Sequence, residues 1–358
     1  KRKDIQYFSD EELYNVFVLA DCLKHNGNLS RSTELLQELF QKSNSVSITK
    51  YEAGAELVNA QYRSLKLAEA TDMIYNLMLG LNNRIQECKY VYKNNSDYRI
   101  IRSYYTITNR YMMILLMWNH YDKAFKEYKK FMKIMAKTQP QEDKPRLRGE
   151  LATYIMDLSR GLYYINLPEA KRLMKIALNF FLQNEKVHYR RISMCKADLL
   201  FLDYLDSYDS KCSLYNSELF FKIENEQFAE GYHREVYKTQ MKHYACLLIH
   251  SEQDEIPQYN IIAEKLEEIY SQLDNTADAH SEYILCSILA YIEKQKGNLK
   301  YGENLLLRIE KYAILLGEDY QIIYFHNRNN IKNADKVTFA FVDIALVDNV
   351  YYLDPRIW

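Results

Sequence analysis

The chain has 358 residues, of which 48% are hydrophobic and 27% charged, a balance that excludes a disordered polypeptide. Its net charge of −1, from 47 basic and 48 acidic residues, gives no overall field that would attract nucleic acid. No apolar run reaches the roughly 18 residues of a membrane-spanning helix, so we expect no membrane partner.

The cysteine, glycine and proline content further limits the class of protein. Six scattered cysteines form no Cys-x-x-Cys pair, which favours reduced thiols and a cytoplasmic location. With only 9 glycines and 5 prolines, the composition predicts long helices joined by short turns.

Hydrophobic periodicity and capping signals predict an all-α chain. Ser9 and Glu12 have the spacing of a capping box, and Gly27 can supply the left-handed residue that ends the first helix. The segment 138–145 carries two prolines and is predicted to be an exposed loop. The predicted helices lie at about 10–25, 30–43, 47–65, 68–90, 97–117, 121–137, 146–165, 167–183, 186–207, 211–224, 226–250, 257–274, 276–296 and 299–316.

One short pattern recurs: a turn, a large apolar residue, a small residue three positions later, and an apolar stripe at helical spacing. The copies beginning at Gly27 and Gly297 match at identical offsets. The small residues of the four copies are Ser32, Ala124, Ala170 and Gly302. They are 92, 46 and 132 residues apart, near multiples of about 45, which suits a repeat of two helices.

The small residue has a mechanical explanation. Two antiparallel helices packed about 8–10 Å apart need a short side chain where their backbones come closest. We therefore expect each small residue on the second helix of a pair, facing the first, with Ala70 and Ala263 as equivalents in other pairs. The alternative is a chance alignment of small residues in an all-helical protein. The segment 208–222 fits poorly and predicts one irregular repeat.

The helical array is predicted to occupy residues 1–334, with a sub-boundary near 91–97. Residues 335–358 are rich in β-forming residues and are predicted to form a C-terminal cap, either a short β-hairpin or an irregular segment. A final buried helix at 337–347 is the alternative. A cap is expected because an open solenoid end exposes an apolar face.

The sequence contains no motif for catalysis. It has no glycine-rich phosphate loop, no His-Glu-x-x-His pair and no Gly-x-Ser-x-Gly elbow. The eight histidines are dispersed, and we expect them to be structural. We therefore predict no catalytic residues, no metal site and no cofactor, and an enzyme on a helical scaffold is the disfavoured hypothesis.

Positively charged and aromatic residues recur on the first helices of the predicted pairs. Arg102, Tyr105 and Asn109 are spaced i, i+3, i+7 and share one helix face. Because first helices of such pairs generally line the concave wall, this face would suit an extended peptide or an acidic protein surface. The alternative is an ordinary solvated outer face. The candidate ligand-binding residues are Arg99, Arg102, Tyr105, Asn109, Arg160, Arg191, Arg234 and Lys238.

Tyrosine is unusually abundant, with 33 residues. The functional interpretation is recognition, because tyrosine is enriched at binding hot spots. The alternative interpretation is the mutational bias of an AT-rich genome.

The units at 26–40, 119–132, 165–178 and 296–309 resemble tetratricopeptide-type helical hairpins, although the Trp-Leu-Gly-Tyr pattern of that family's first helix is missing. The final segment 348–358, Asp-Asn-Val-Tyr-Tyr-Leu-Asp-Pro-Arg-Ile-Trp, together with the repeats, resembles the C-terminal sensor regions of bacterial STAND ATPases, the NLR-like immune proteins. That resemblance implies a solenoid that binds a foreign protein and releases an N-terminal ATPase and effector.

Two hypotheses about function follow. The resemblance to the STAND sensors implies that the chain is the ligand-sensing region of a larger bacterial signalling or defence ATPase, binding a protein through its concave face; the missing ATPase motif and initiating Met are consistent with this expectation. The second hypothesis is a peptide-responsive tetratricopeptide regulator of the quorum-sensing type, although no DNA-reading helix-turn-helix is evident before residue 90. Both imply a protein or peptide ligand, without direct nucleic-acid binding, and leave open a place in a larger chain or oligomer.

Overall fold

The computed structural model describes residues 5–44, 47–88, 95–118, 120–138, 144–162, 167–183, 185–207, 215–273 and 279–316. These residues form fourteen α-helices and no strand, which confirms the predicted all-α class. None of these helices combines the length and apolarity needed to cross a membrane. The predicted cap at 335–358, the loop residues 139–143 and residues 91–94 of the expected sub-boundary lie outside the described residues.

The helices are α1 Asp10–His25, α2 Leu29–Lys42, α3 Ile48–Arg63, α4 Leu67–Cys88, α5 Asn95–Met117, α6 Tyr121–Thr138, α7 Lys144–Gly161, α8 Leu167–Leu182, α9 Glu185–Asp206, α10 Ser217–Ala229, α11 His233–Gln253, α12 Tyr259–Gln272, α13 Ala279–Gln295 and α14 Leu299–Leu316. Each odd-numbered helix packs against the even-numbered helix that follows it. The odd-numbered helices also pack against one another in sequence, such as α3 against α5 and α5 against α7. Consecutive pairs therefore stack into a solenoid with an odd-numbered and an even-numbered layer.

Five helices in the described part of the chain end in the same turn. One residue of each turn has a left-handed backbone: Gly27, Leu65, Gly231, Glu255 and Gly297. The next N–H group then bonds a carbonyl oxygen five residues back, as Asn28 does to Leu23 at 2.9 Å. The predicted break near 225 is wrong, because α10 continues to Ala229 and the left-handed residue that ends it is Gly231.

The small residues of the repeated pattern are buried, and two of them make contacts across a helix pair. Ser32, Ala124, Ala170 and Gly302 are all buried on the second helix of their pairs. Between α1 and α2, the Ser32 hydroxyl donates to the carbonyl oxygen of Ala20 at 2.7 Å. Between α7 and α8 the roles reverse, and Ser159 donates to the carbonyl oxygen of Ala170 at 2.6 Å. A side chain reaches the opposite backbone only where the two helices lie close together, as the pattern predicted.

Much of the tyrosine content lies in the core. Tyr104, Tyr154, Tyr204 and Tyr283 are among the largest fully buried side chains, one each on α5, α7, α9 and α13. The Tyr154 ring stacks on Phe131 of α6, with ring centroids 3.9 Å apart. Because these four tyrosines are buried in the core, recognition does not explain them.

Candidate ligand-binding cavity

A cavity of about 220 Å³ lies on the inner wall of the solenoid. Its lining comes from α1, α3, α5, α7, α9 and α11, which are all first helices of their pairs. The candidates that line it are Arg102, Tyr105, Asn109, Arg160, Arg191, Arg234 and Lys238. Candidate residues predicted on four separate helices therefore line one cavity.

The curvature of the array brings distant helices together at this cavity. Arg190 at the start of α9 donates to the ring of His25 at the end of α1, with 3.1 Å between Nη1 and Nδ1. These two residues are 165 positions apart in the chain. A second cavity, of about 740 Å³, lies where the turn between α1 and α2 faces α10, α11 and α12. The array thus curls far enough for its first pair to meet its fifth and sixth pairs.

Polar contacts link the first helices in succession from α1 to α11. In chain order they are Lys24–Glu56 (3.0 Å), Arg99–Glu52 (2.9 Å), Asn109–Asp157 (2.6 Å), Arg160–Asp198 (2.7 Å) and Arg190–Glu235 (2.9 Å). We call these contacts the inner ladder. Because each contact joins two helices about one repeat apart, the inner ladder fixes how successive pairs are stacked.

Arg99 lies away from the cavity. Its guanidinium sits over the Tyr14 ring, 4.3 Å from the centroid, and donates to Glu52 and to the Thr49 hydroxyl. The residue therefore joins α1, α3 and α5 within the inner ladder, and unlike the other seven candidates it does not line the cavity.

Arg160 faces the cavity but is only 9% exposed. Two carboxylates hold it, Asp198 at 2.7 Å and Asp157 at 3.2 Å, and Lys242 shares Asp198 at 2.8 Å. Burial lowers the pKa of Arg160, whereas Asp198 and Asp157 raise it, and the net shift is upward. The Arg160 charge is therefore paired within the inner ladder.

Tyr105 has a similar structural role. It is 2% exposed, and its ring meets Phe131 edge-on with centroids 4.9 Å apart. Most of this residue therefore belongs to the core beneath the cavity.

Arg102 and Arg191 are the best-exposed arginines among the candidates with described ion pairs. Their side chains are 37% and 28% exposed, and they approach the same carboxylate, Glu150, at 3.8 and 3.5 Å. Both distances exceed a normal charged hydrogen bond of about 2.7–2.9 Å. Arg102 on α5 and Arg191 on α9 therefore flank α7 and share one loosely held counter-ion.

The cavity is electropositive. The described residues that line it include nine Lys and Arg but five Asp and Glu, although the whole chain carries a net charge of −1. Burial raises the pKa of Glu235, but Arg190, Arg234 and Lys238 more than offset this, and the pKa falls to about 2. Burial likewise raises the pKa of Glu56, but neighbouring positive charge, chiefly that of Lys24, outweighs it and the pKa falls to about 2. Glu235 and Glu56 therefore stay ionised near neutral pH, and the lining residues still carry a surplus of positive charge.

Asn109 adds an uncharged acceptor to the wall. Its Nδ2 donates to Asp157 at 2.6 Å, and because a carboxylate only accepts, this contact fixes the orientation of the amide. Oδ1 then has no hydrogen-bond partner among the described residues, although Asn109 is only 5% exposed.

Glu150 and Glu235 were not predicted from the sequence as residues of the cavity. Glu150 and Asp157 are spaced i, i+7 on α7, the same spacing that identified Arg102 and Asn109, so this signal was present. A carboxylate on a helix face is usually solvated, so the spacing alone did not indicate that these side chains face a cavity.

Metal chemistry receives no support in the described part of the chain, where no group of three His, Cys, Asp or Glu side chains could hold an ion. His243 is 1% exposed, with Nδ1 2.8 Å from Glu224 and its ring stacked on Phe220. This arrangement is that of a structural core histidine. Neither a protein-family model nor a curated protein matches the chain.

Proposed function

We propose that the chain is a helical-repeat recognition module that binds a segment of a protein or peptide in the cavity on its inner wall. The observation that supports this most directly is the convergence of seven candidate residues from α5, α7, α9 and α11 on one cavity. A wall built from several repeats is how solenoid proteins present a binding surface.

The size of the cavity favours a narrow ligand. At about 220 Å³ it lies just below the usual range of about 300–1,000 Å³ for small-molecule sites. A side chain, a chain terminus or a short extended segment fits this space, whereas a folded domain does not enter it. A protein ligand would therefore present a loop or tail.

The larger setting is proposed from resemblance. We propose that the module is the ligand-sensing region of a bacterial signalling or defence ATPase, because the repeats and the segment 348–358 resemble that family's sensors. The peptide-responsive regulator is the second candidate, and the small cavity favours it because a short peptide needs no larger space.

A peptide-display selection on the purified chain tests the binding proposal. Selected peptides should bind the native chain and lose about tenfold or more in affinity to the variant Arg102→Glu with Arg191→Glu. The matched control is Arg31→Glu with Arg172→Glu, which makes the same charge change on α2 and α8, where the side chains are 51% and 60% exposed. Selected peptides that bind both variants equally would show that the cavity is not the binding site.

A further inference from the structure

The pairing of Arg102 and Arg191 with Glu150 differs from the rest of the inner ladder. The donor–acceptor distances of the inner ladder are 2.6–3.0 Å. Glu150, in contrast, lies 3.8 Å from Arg102 and 3.5 Å from Arg191. The Glu150 side chain itself is only 11% exposed. One carboxylate is placed between two guanidinium groups without a close bond to either.

Both arginines keep capacity for another anion. A guanidinium has five N–H donors and pairs best with two oxygens of one oxyanion. Arg191 also lies over the Phe181 ring, 5.8 Å from the centroid, which orients it without using its donors. Burial lowers the pKa of Arg102, but Glu150 and Glu56 raise it, and the net shift is upward, so this side chain remains charged.

We propose that Arg102 and Arg191 form an oxyanion subsite, in which Glu150 stands where a carboxylate or phosphate group of the ligand binds. The inference deepens the proposed recognition function and rests on it, since it names the chemistry of the ligand in the same cavity. The incoming oxyanion bonds to both guanidinium groups and displaces Glu150 toward solvent. The surplus of nine basic over five acidic lining residues favours the exchange.

Glu150 is then an internal competitor of the ligand. Removing its charge in Glu150→Gln strengthens anion binding, while removing the arginine charges weakens it. If Glu150 had a purely structural role, Glu150→Gln would also weaken binding, because loss of the carboxylate would loosen the packing of α5, α7 and α9.

The experiment measures binding of three probes by calorimetry: a glutamate-rich octapeptide, its glutamine counterpart, and inorganic pyrophosphate. Each is titrated into the native chain, Glu150→Gln, and Arg102→Gln with Arg191→Gln. Glu34→Gln is the matched control, because Glu34 lies on the outer helix α2 with its side chain 61% exposed. Circular dichroism melting establishes that each variant is folded, and the arginine-to-glutamine pair avoids the repulsion that a charge reversal would add.

We expect at least one anionic probe to bind, about threefold or more tighter to Glu150→Gln and about tenfold or more weaker to the arginine variant, with Glu34→Gln unchanged. Binding of the glutamate peptide identifies a carboxylate, and preference for pyrophosphate identifies a phosphate. Failure of both anions, or weakening by Glu150→Gln, overturns the oxyanion subsite. Uncharged display peptides that depend on Arg102 and Arg191 but not on Glu150 would leave the proposed function in place and remove only this inference.

Discussion

At the scale of single residues, each helix-ending turn requires one residue with a left-handed backbone conformation, and different residue types occupy this position. Gly27 and Gly297 adopt φ of +85° and +83° without steric cost, because glycine has no Cβ. Leu65 and Glu255 adopt φ of 58° and 57° in equivalent turns. For a residue with a side chain this conformation costs about 1–2 kcal/mol. Leu65 is fully buried and recovers the cost by packing, whereas Glu255 is exposed.

Replacing Glu255 by glycine should stabilise the protein by about 0.5–1 kcal/mol, because the strain is relieved and no buried contact is lost. The free energy of unfolding in urea measures the effect. The control is Glu230→Gly at the end of α10, where the backbone is right-handed at φ −87° and glycine should destabilise. Equal shifts of the same sign in both variants would contradict the strain at Glu255.

The turn residues also show what could be predicted from the sequence. Gly27 was identified because glycine at the end of an apolar stripe indicates a left-handed cap. Glu255 could not be identified, because nothing in its side chain favours that conformation and the surrounding helices impose it. The break at Gly231 was misplaced to about 225, although residues 217–229 contain no glycine or proline that would interrupt a helix.

At the scale of helices, the crossing between α7 and α8 depends on a small residue. Ala170 is fully buried, and its carbonyl oxygen accepts from Ser159 at 2.6 Å. Ala170→Leu should destabilise the chain by about 1–3 kcal/mol, because the added atoms have no space and the two helices must separate. Ala68→Leu on α4 makes the same change at an exposed position and should have little effect. Equal melting temperatures for the two variants would argue against the crossing.

The partners of the wall residues could not be predicted at this scale. Spacing within α5 placed Arg102 and Asn109 on one face, but their partners Glu150 and Asp157 lie on α7, and Asp157 is 48 residues from Asn109. Arg99, only three residues before Arg102, turns instead toward Glu52 and Tyr14. Helical periodicity gives the face of a residue but not the neighbour that the curvature of the array brings to it.

At the scale of the whole molecule, the inner ladder makes the stacking of repeats dependent on ionised carboxylates. Glu56 joins α1 to α3 through Lys24, and Glu235 joins α9 to α11 through Arg190. The pKa of each is lowered from 4.5 to about 2 in the folded chain. A carboxylate with a lowered pKa stabilises the fold fully above its unfolded value, and this contribution is lost as the pH falls through the folded value.

We therefore expect the stability of the array to fall between about pH 4.5 and pH 2, by an amount on the order of 3 kcal/mol for each of these carboxylates. Urea unfolding followed by circular dichroism across this range measures the loss. The variant Glu56→Gln with Glu235→Gln should be less stable than the native chain at pH 7 but should lose less stability on acidification. Glu34→Gln with Glu38→Gln is the control, because both side chains are exposed on α2 and carry surface ion pairs of little energetic consequence. If the free energy of unfolding falls with pH equally in the native chain and in the variant Glu56→Gln with Glu235→Gln, these buried carboxylates do not control the acid stability of the array.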